Sequence, residues 1–344
     1  DNVGLIIGSY GREVKRVLLC LDVTSGIVSE AIEIHAELII SHHPFIFKGI
    51  KRIIEEDAKG RLICELIRNG IGVYSSHTNI DMADGGVNSY LADLLGLKNV
   101  ELLKAEKSEK LYKLVVFVPE EYASVVREAI CRGGAGHIGK YSDCSFSVNG
   151  EGMFRPLEGA DPFIGSAGKL EKVKEIRIET VVPQAYLGRT IELMLKAHPY
   201  EEAAYDVYPL EIPSKSFGYA RVGTLPEAVT IEKFIEIIKS SLKINDVRLI
   251  GCTNKDIKKV AVFSGSFDES IMPLLNNRAD ILVTGDVKHH NAVDAVENGL
   301  CIVDAGHYAT ERIFIPYLAQ NLRKEFNGIE FIASSKEESP FKYC

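Results

Sequence analysis

No apolar run in the 344 residues approaches the roughly 20 that a helix needs to cross a bilayer, and no signal peptide opens the chain. Neither a membrane anchor nor a secretory leader is therefore expected within these residues; because the chain opens on Asp1 rather than Met, a targeting segment ahead of it stays open. No C-x-x-C pair occurs either. The seven cysteines (Cys20, Cys64, Cys131, Cys144, Cys252, Cys301 and Cys344) are odd in number and scattered, so neither a disulfide framework nor a thiolate zinc site is indicated. Most lie in apolar runs and read as small core residues, which makes a reducing cytoplasm the expected setting. Excess positive charge is missing too: a formal net charge of −8 argues against general affinity for nucleic acid or anionic membrane.

What is present suffices for two or three domains with real cores. The first hundred residues alternate strand and helix. Val14 to Asp22 reads as a strand, Thr24 to Ala36 as a helix carrying His35 as a solvated side chain, and Leu38 to Ser41 as a strand. A helix over Lys59 to Asn69 stopped by Gly70, a strand over Ile71 to Ser76 and a helix over Val87 to Leu95 follow. This rhythm implies a parallel sheet covered by helices.

After the charged stretch Lys104 to Lys110 the character changes. A strand (Lys113 to Val118), a helix (Glu120 to Cys131), strands over Ile138 to Val148, Gly152 to Pro156 and Glu175 to Pro183, a helix (Gln184 to Ala197) and a strand (Ala204 to Leu210) follow the ferredoxin-like order. The first pattern then returns with strands over Lys258 to Phe263, Ala279 to Thr284 and Leu300 to Asp304, and a long final helix. Lys15-Arg-Val-Leu-Leu matches Lys258-Lys-Val-Ala-Val, Ala36-Glu-Leu-Ile-Ile-Ser matches Ala279-Asp-Ile-Leu-Val-Thr, and Asn69-Gly-Ile-Gly-Val-Tyr matches Asn298-Gly-Leu-Cys-Ile-Val, in the same order. The expected fold is α/β: a duplicated βαβ metal-binding domain with a parallel-sheet core, residues 1–109 and 225–344, interrupted by an inserted ferredoxin-like α+β domain over residues 110–224.

Ionisable groups gather just after the strands of both outer segments: His42-His43, His77 with Asp81, Asp286 with His289-His290, and His307 with Glu311. Ligands of open α/β sheets bind at the carboxyl ends of strands. Six of the nine histidines fall in these few loops, which favours a mixed nitrogen–oxygen site for divalent metal over scattered structural histidines. His307 and Glu311, four apart at a helix start, can face one point. The surplus of candidate ligands favours two metals, about 3.5–4 Å apart in sites that share a bridging carboxylate.

The stretches D-N-V-G-L-I-I-G, I-I-S-H-H-P, S-S-H-T-N-I-D with G-G-V-N, L-V-T-G-D-V-K-H-H and D-A-G-H-Y-A-T-E resemble the dinuclear-metal-centre hexameric protein family, whose members are often labelled homologues of type 2 GTP cyclohydrolase I. The insert is similar to the small PII/CutA-like domain of longer members, and the helix that usually precedes D-N-V-G is missing. The resemblance implies His42, His43, Asp81, His307 and Glu311 as ligands of two divalent ions (zinc, iron or manganese), with Glu311 bridging. It implies His77, Asp286 and His290 as groups that orient ligands, face substrate or move protons; His289 is weaker. A toroidal homohexamer with inward-facing metal sites is implied as well.

The leading expectation is thus a metal-dependent hydrolase acting on a small-molecule, nucleotide substrate; the alternative is a non-catalytic metal-handling or regulatory scaffold. Two motifs are set aside. Gly134-Ala-Gly-His-Ile-Gly-Lys140 nearly spells a P-loop, but Tyr141 replaces the Ser or Thr and the element order is reversed. His198-Pro-Tyr-Glu-Glu202 reads as a helix-ending turn rather than a second metal site.

Overall fold

The computed structural model describes residues 2–251 and 256–342; Asp1, Cys252 and Cys344 therefore lie outside the described residues. Two compact units divide the chain, one formed by Asp1–Glu106 with Phe217–Cys344 and one by Lys107–Ser216. Among the described residues no helix is long and apolar enough to cross a membrane.

The first unit contains two sheets. One is five-stranded, in the order Gly4–Ile7, Gly72–Ser75, Leu38–Ser41, Arg16–Cys20, Glu330–Ala333. All its pairings are parallel except the first. The other is six-stranded, in the order Arg248–Ile250, Ile302–Asp304, Ile281–Gly285, Ile257–Ser266, Arg221–Val229, Lys98–Leu102. Its central three strands are parallel and its flanking pairs antiparallel. The expected parallel core is present in each sheet, but mixed edges surround it. Lys98–Leu102, from the amino-terminal half, closes the sheet of the carboxyl-terminal half, and Glu330–Ala333 does the reverse. Arg221, read from sequence as part of the insert, sits on a strand of the six-stranded sheet because its backbone pairs with Val262 and Leu102.

Both faces of each sheet are covered, which is why the strands read as continuous apolar runs. Leu18, Cys20, Ile39 and Val73 pack beneath helices Ser25–Glu33 and Ala58–Arg68, while Val17, Leu19 and Phe331 meet Ile315 and Ala319 of helix Phe314–Glu325 on the other side. In the six-stranded sheet Val260, Val262, Ile281 and Val283 pack on helix Ile231–Leu242, an element not expected from the sequence. Of the described cysteines, Cys20 and Cys301 are buried and Cys64, Cys131 and Cys144 are partly exposed. The halves repeat one local device: Glu37 accepts from the amides of Lys15 (3.2 Å) and Arg16 (2.7 Å), and Asp280 from those of Lys258 (2.9 Å) and Lys259 (2.7 Å).

Two local readings change. His35 is not helical; it follows helix Ser25–Glu33 in the left-handed region at φ 55°, and it is exposed as expected. The final helix is two, His307–Arg312 and Phe314–Glu325, because Pro316 has no amide to continue the ladder across Ile313.

A buried carboxylate ties the carboxyl-terminal strand down. Glu30 accepts from Ser334 Oγ, from Ser335 N at 2.9 Å and from Ser335 Oγ at 2.7 Å. Burial alone would raise its pKa, but these donors outweigh it and hold the carboxyl below its usual value. The contribution is therefore present above the unfolded carboxylate pKa and is lost as pH falls through the depressed one. Acidification is expected to lower the protection factor of the Ser335 amide, its exchange measured against the intrinsic rate at the same pH, before global unfolding. Glu30→Gln should abolish that pH dependence, and a protection factor as pH-dependent in Glu30→Gln as in wild type would contradict the assignment.

The second unit is a four-stranded antiparallel sheet ordered Tyr205–Leu210, Leu111–Pro119, Glu171–Pro183, Phe146–Phe154. With helices Ala123–Gly133 and Gln184–Ala197 this is the strand–helix–strand, strand–helix–strand order read from sequence. Residues 138–141 form an isolated bridge rather than the start of a strand, and one strand, Phe146–Phe154, replaces the two expected. Gly134, at φ 112°, terminates a helix rather than opening one, so the P-loop look-alike has no phosphate cradle. His198 Nε2 donates to the Phe117 carbonyl (2.9 Å) while Nδ1 accepts from Tyr200 N (3.1 Å), which leaves no ring nitrogen for a metal.

Candidate metal centre

The strand Leu38–Ser41 delivers His42 and His43 at its carboxyl end, where their amides continue the pairing onto the carbonyls of Cys20 (3.0 Å) and Leu21 (2.9 Å). The Ser41 hydroxyl donates to the His43 carbonyl (2.8 Å) and curls the chain, so that both rings serve one site with centroids 5.0 Å apart. His77 ends the neighbouring strand region and leads into the short helix Thr78–Met82, which carries Asp81. Arg221 holds that helix by donating to the carbonyls of Met82 (3.0 Å) and Ala83 (3.1 Å). From the other sheet, helix His307–Arg312 supplies His307 and Glu311 one turn apart.

Glu311 is the hub. Its Oε2 lies 3.0 Å from His43 Nε2 and 3.1 Å from His307 Nε2, while its Oε1 faces His42 Nε2 at 3.6 Å. Asp81 Oδ1 approaches the same His42 nitrogen at 3.6 Å. The opposite ring nitrogens are tied off: His43 Nδ1 to Asp22 (2.9 Å), His307 Nδ1 to Asp286 (2.8 Å) and His42 Nδ1 to the Ser76 carbonyl (3.0 Å). Every Nε2 is thereby turned toward Glu311, the arrangement by which outer carboxylates and carbonyls orient metal-bound imidazoles.

Backbone geometry makes room for the hub. Gly265 has φ +72°, and a Cβ there would stand 2.2 Å from Glu311 Oε1. Thr310 fixes Gly265 by accepting from its amide at 3.0 Å. Asp286 also adopts the left-handed region, at φ 50°, which few non-glycine residues tolerate; this bend lets its carboxylate reach His307.

The electrostatics are those of a site short of positive charge. For Asp81, burial pushes the carboxyl up to about 6. Burial likewise lowers His77 to about 4. His43 is raised to about 10, because bonds to Asp22 and Glu311 outweigh the opposing effect of burial. The Glu311 bond, followed by Asp286, raises His307 to about 9 against burial. Glu311 itself is buried, which would raise it, but its three histidines hold it well below the usual range.

The residues fit a divalent cation. His42 Nε2 and Asp81 Oδ1 are buried without a hydrogen-bond partner, at a cost that a cation would relieve. Two triads, His42–His43–His77 and His43–His307–Glu311, each bring one nitrogen or oxygen per residue within 4.8 Å of the others. His77, expected to orient or move protons, thus stands among the potential ligands. His290 does not join the cluster: it is exposed on helix His289–Glu297, its ring 5.5 Å from that of His289. Asp22 is the residue that sequence reasoning missed. It closes the first strand run, at the same sheet end as the other acids, and that position was its signal.

Cations must displace the protons that His43 and His307 hold below pH 9. Apparent metal affinity should therefore rise as pH climbs from 7 toward 9, and loading at pH 7 should release at least one proton per chain. Calorimetry in buffers of different ionisation enthalpy measures this, and identical heats in all buffers would refute it.

A cavity of about 730 Å³ opens beside the centre, reaching Asp286, His307, Tyr308 and Arg312.

Comparison with known proteins agrees across the whole chain. The family model described as Duf34/NIF3 (NGG1p interacting factor 3) matches residues 1–340. A Bacillus subtilis (strain 168) protein named "GTP cyclohydrolase 1 type 2 homolog" is 44% identical over 347 residues, spanning 100% of this chain and 93% of the relative. Its namesake from Halalkalibacterium halodurans is 43% identical with the same coverage. The crystal structure of a Bacillus cereus protein related to NIF3 matches with a TM-score of 0.87 at 41% identity, covering 100% of this chain and 93% of that one. A Staphylococcus aureus protein matches with a TM-score of 0.74 at 32% identity and the same coverage. A match that runs through both outer segments and the inserted unit alike makes the chain a member of the Duf34/NIF3 family.

Proposed function

We propose that the chain is a dinuclear divalent-metal hydrolase acting on a nucleotide or a related small molecule. One observation carries this reading: the two oxygens of Glu311 face different imidazole groups, Oε2 toward His43 and His307 and Oε1 toward His42. One ion would be held by His42, Asp81 and Glu311, the other by His43, His307 and Glu311. Zinc, iron and manganese all suit this donor set. When bound, such ions supply Lewis acidity and bring the ionisation of water near neutral pH.

The chain's own residues do the rest. Asp22, Asp286 and the Ser76 carbonyl orient the imidazoles, and burial of His42 and Glu311 keeps bulk water from competing for them. His77, half-buried at the edge of the cluster and held neutral by burial, would accept a proton from a group drawn into the site. The 730 Å³ cavity at His307 is large enough for a nucleotide. The name carried by the Bacillus subtilis and Halalkalibacterium relatives supports a nucleotide such as GTP. A homohexameric toroid with the centres facing inward, in the cytoplasm, and a PII/CutA-type role for the inserted unit belong to the same reading.

The test is turnover of GTP and a nucleotide panel by protein loaded with zinc, iron or manganese, beside a His307→Ala control. Activity above the control is expected. None above it would leave metal handling, without catalysis, as the function of the centre.

A further inference from the structure

The inserted unit has a cavity of its own. It measures about 610 Å³, within the range of small-molecule pockets. Ile176, Ile178 and Val182 of the long strand Glu171–Pro183 pack with the two helices of the unit. Strand side chains alternate, so Glu175 and Arg177 face the opposite side of the sheet, where the cavity lies. Its cover is the loop after Phe154, closed at its base by Arg155 donating to the Gly168 carbonyl (2.9 Å) and Gly168 N donating to that of Pro156 (2.8 Å). Phe163 of that loop and Phe154 of the edge strand flank Tyr200, with ring centroids 6.2 and 5.7 Å from its own.

Two polar groups are built into this apolar slot. Glu175 is 9% exposed, and among the described residues no lysine, arginine or histidine forms an ion pair with it. The arginines on the wall are engaged elsewhere, Arg177 with Glu179 (2.8 Å) and Arg155 with Gly168. His198 spends both ring nitrogens on backbone. The Tyr200 hydroxyl is buried and meets no partner other than the Glu175 carboxylate. It lies near enough to Glu175, in buried surroundings, for its proton to be held on more firmly than in a free phenol. Space for the carboxylate is bought by Gly152, where a Cβ would stand 2.2 Å from Glu175 Oε2.

A buried carboxylate with no cation beside it is costly unless something brings it further hydrogen-bond donors or positive charge. Aromatic walls select a flat partner. We propose that this cavity binds a planar heteroaromatic molecule of nucleobase size carrying an amidine-like N–C–N donor edge, which pairs with Glu175 and stacks among Phe154, Phe163 and Tyr200. The site shares no residue with the candidate metal centre, and nothing in it needs a cation.

The probe is 2-aminobenzimidazole, titrated into the full-length protein by calorimetry or ligand-observed NMR, with benzoate as the charge-reversed control. Wild type should bind 2-aminobenzimidazole with a Kd below about 1 mM and ignore benzoate. Glu175→Gln, which keeps the shape, should weaken binding about tenfold or more, since a charge-assisted bond is lost. Tyr200→Phe provides a second reading should Glu175→Gln fold poorly, with an expected loss of about threefold. His307→Ala should bind the probe as wild type does. Equal affinity in Glu175→Gln, or no wild-type binding at millimolar probe, overturns the proposal. So does a Phe163→Asp variant with a lower solution mass than wild type, because this face would then belong to a second copy of the chain.

Discussion

Glu311→Gln is expected to empty the proposed dinuclear centre. The amide keeps the size of the side chain but turns an NH2 group toward one set of imidazoles and leaves a neutral oxygen for the other. Loss of an outer partner alone lowers metal affinity roughly 10- to 100-fold. Removing the one carboxylate that meets His42, His43 and His307 should cost more than about 100-fold. Asp22→Asn, by contrast, disturbs only the orientation of His43 and belongs in the 10- to 100-fold class.

The same substitution destabilises the metal-free protein. Glu311 is 4% exposed and is the acceptor for two imidazoles held at about 3 Å. Breaking a buried charged pair of this kind costs about 3–5 kcal/mol. Elemental analysis of purified Glu311→Gln and its melting temperature in chelator check both halves of the expectation. Full metal content in the variant would mean that Glu311 is not a ligand.

Gly285→Ala should be as damaging for a different reason. Gly285 ends the fully buried strand Ile281–Gly285, and a Cβ there would lie 2.5 Å from Gly265 O, 2.5 Å from His307 N and 2.6 Å from Gly306 C. All three neighbours are backbone, so no side chain can swing away, and the strand end must part from the segment that carries His307. The expected loss is about 3–5 kcal/mol, with the metal centre disrupted besides. Gly188→Ala is the matched control. It lies exposed within helix Gln184–Ala197, with nothing within 4 Å of a Cβ, and should stabilise the protein by about 0.5–1 kcal/mol. Denaturant midpoints compare the two, and a Gly285→Ala protein within about 1 kcal/mol of wild type would show that the backbones yield at little cost.

Strand Leu38–Ser41 and helix Gln184–Ala197 have the bounds that their sequence predicts, because each carries an uninterrupted apolar pattern between clear stops. Gly4–Ile7, Lys98–Leu102 and Arg221–Val229 escaped notice. They are edge or antiparallel strands whose partners lie far along the chain, and nothing in their own neighbours announces the pairing. At the centre, the histidine doublet, Asp81, His307 and Glu311 were legible from residue type and position after strands. Asp22 was not, since an aspartate ending a strand is ordinary until His43 is seen beside it. His290, expected to orient ligands, face substrate or move protons, lies exposed on helix His289–Glu297.

Residue order alone settled the strand–helix alternation ahead of the insert, the change of character at the insert and the chemistry available at the strand ends, because hydrophobic period, caps and donor types are properties of near neighbours. It left undecided which nitrogen meets which oxygen. That depends on two sheets holding His43 and Glu311, 268 positions apart, within a hydrogen bond's reach. Sheet register and the bends at Gly265 and Asp286 set such distances, and they follow from packing that no local stretch of chain encodes.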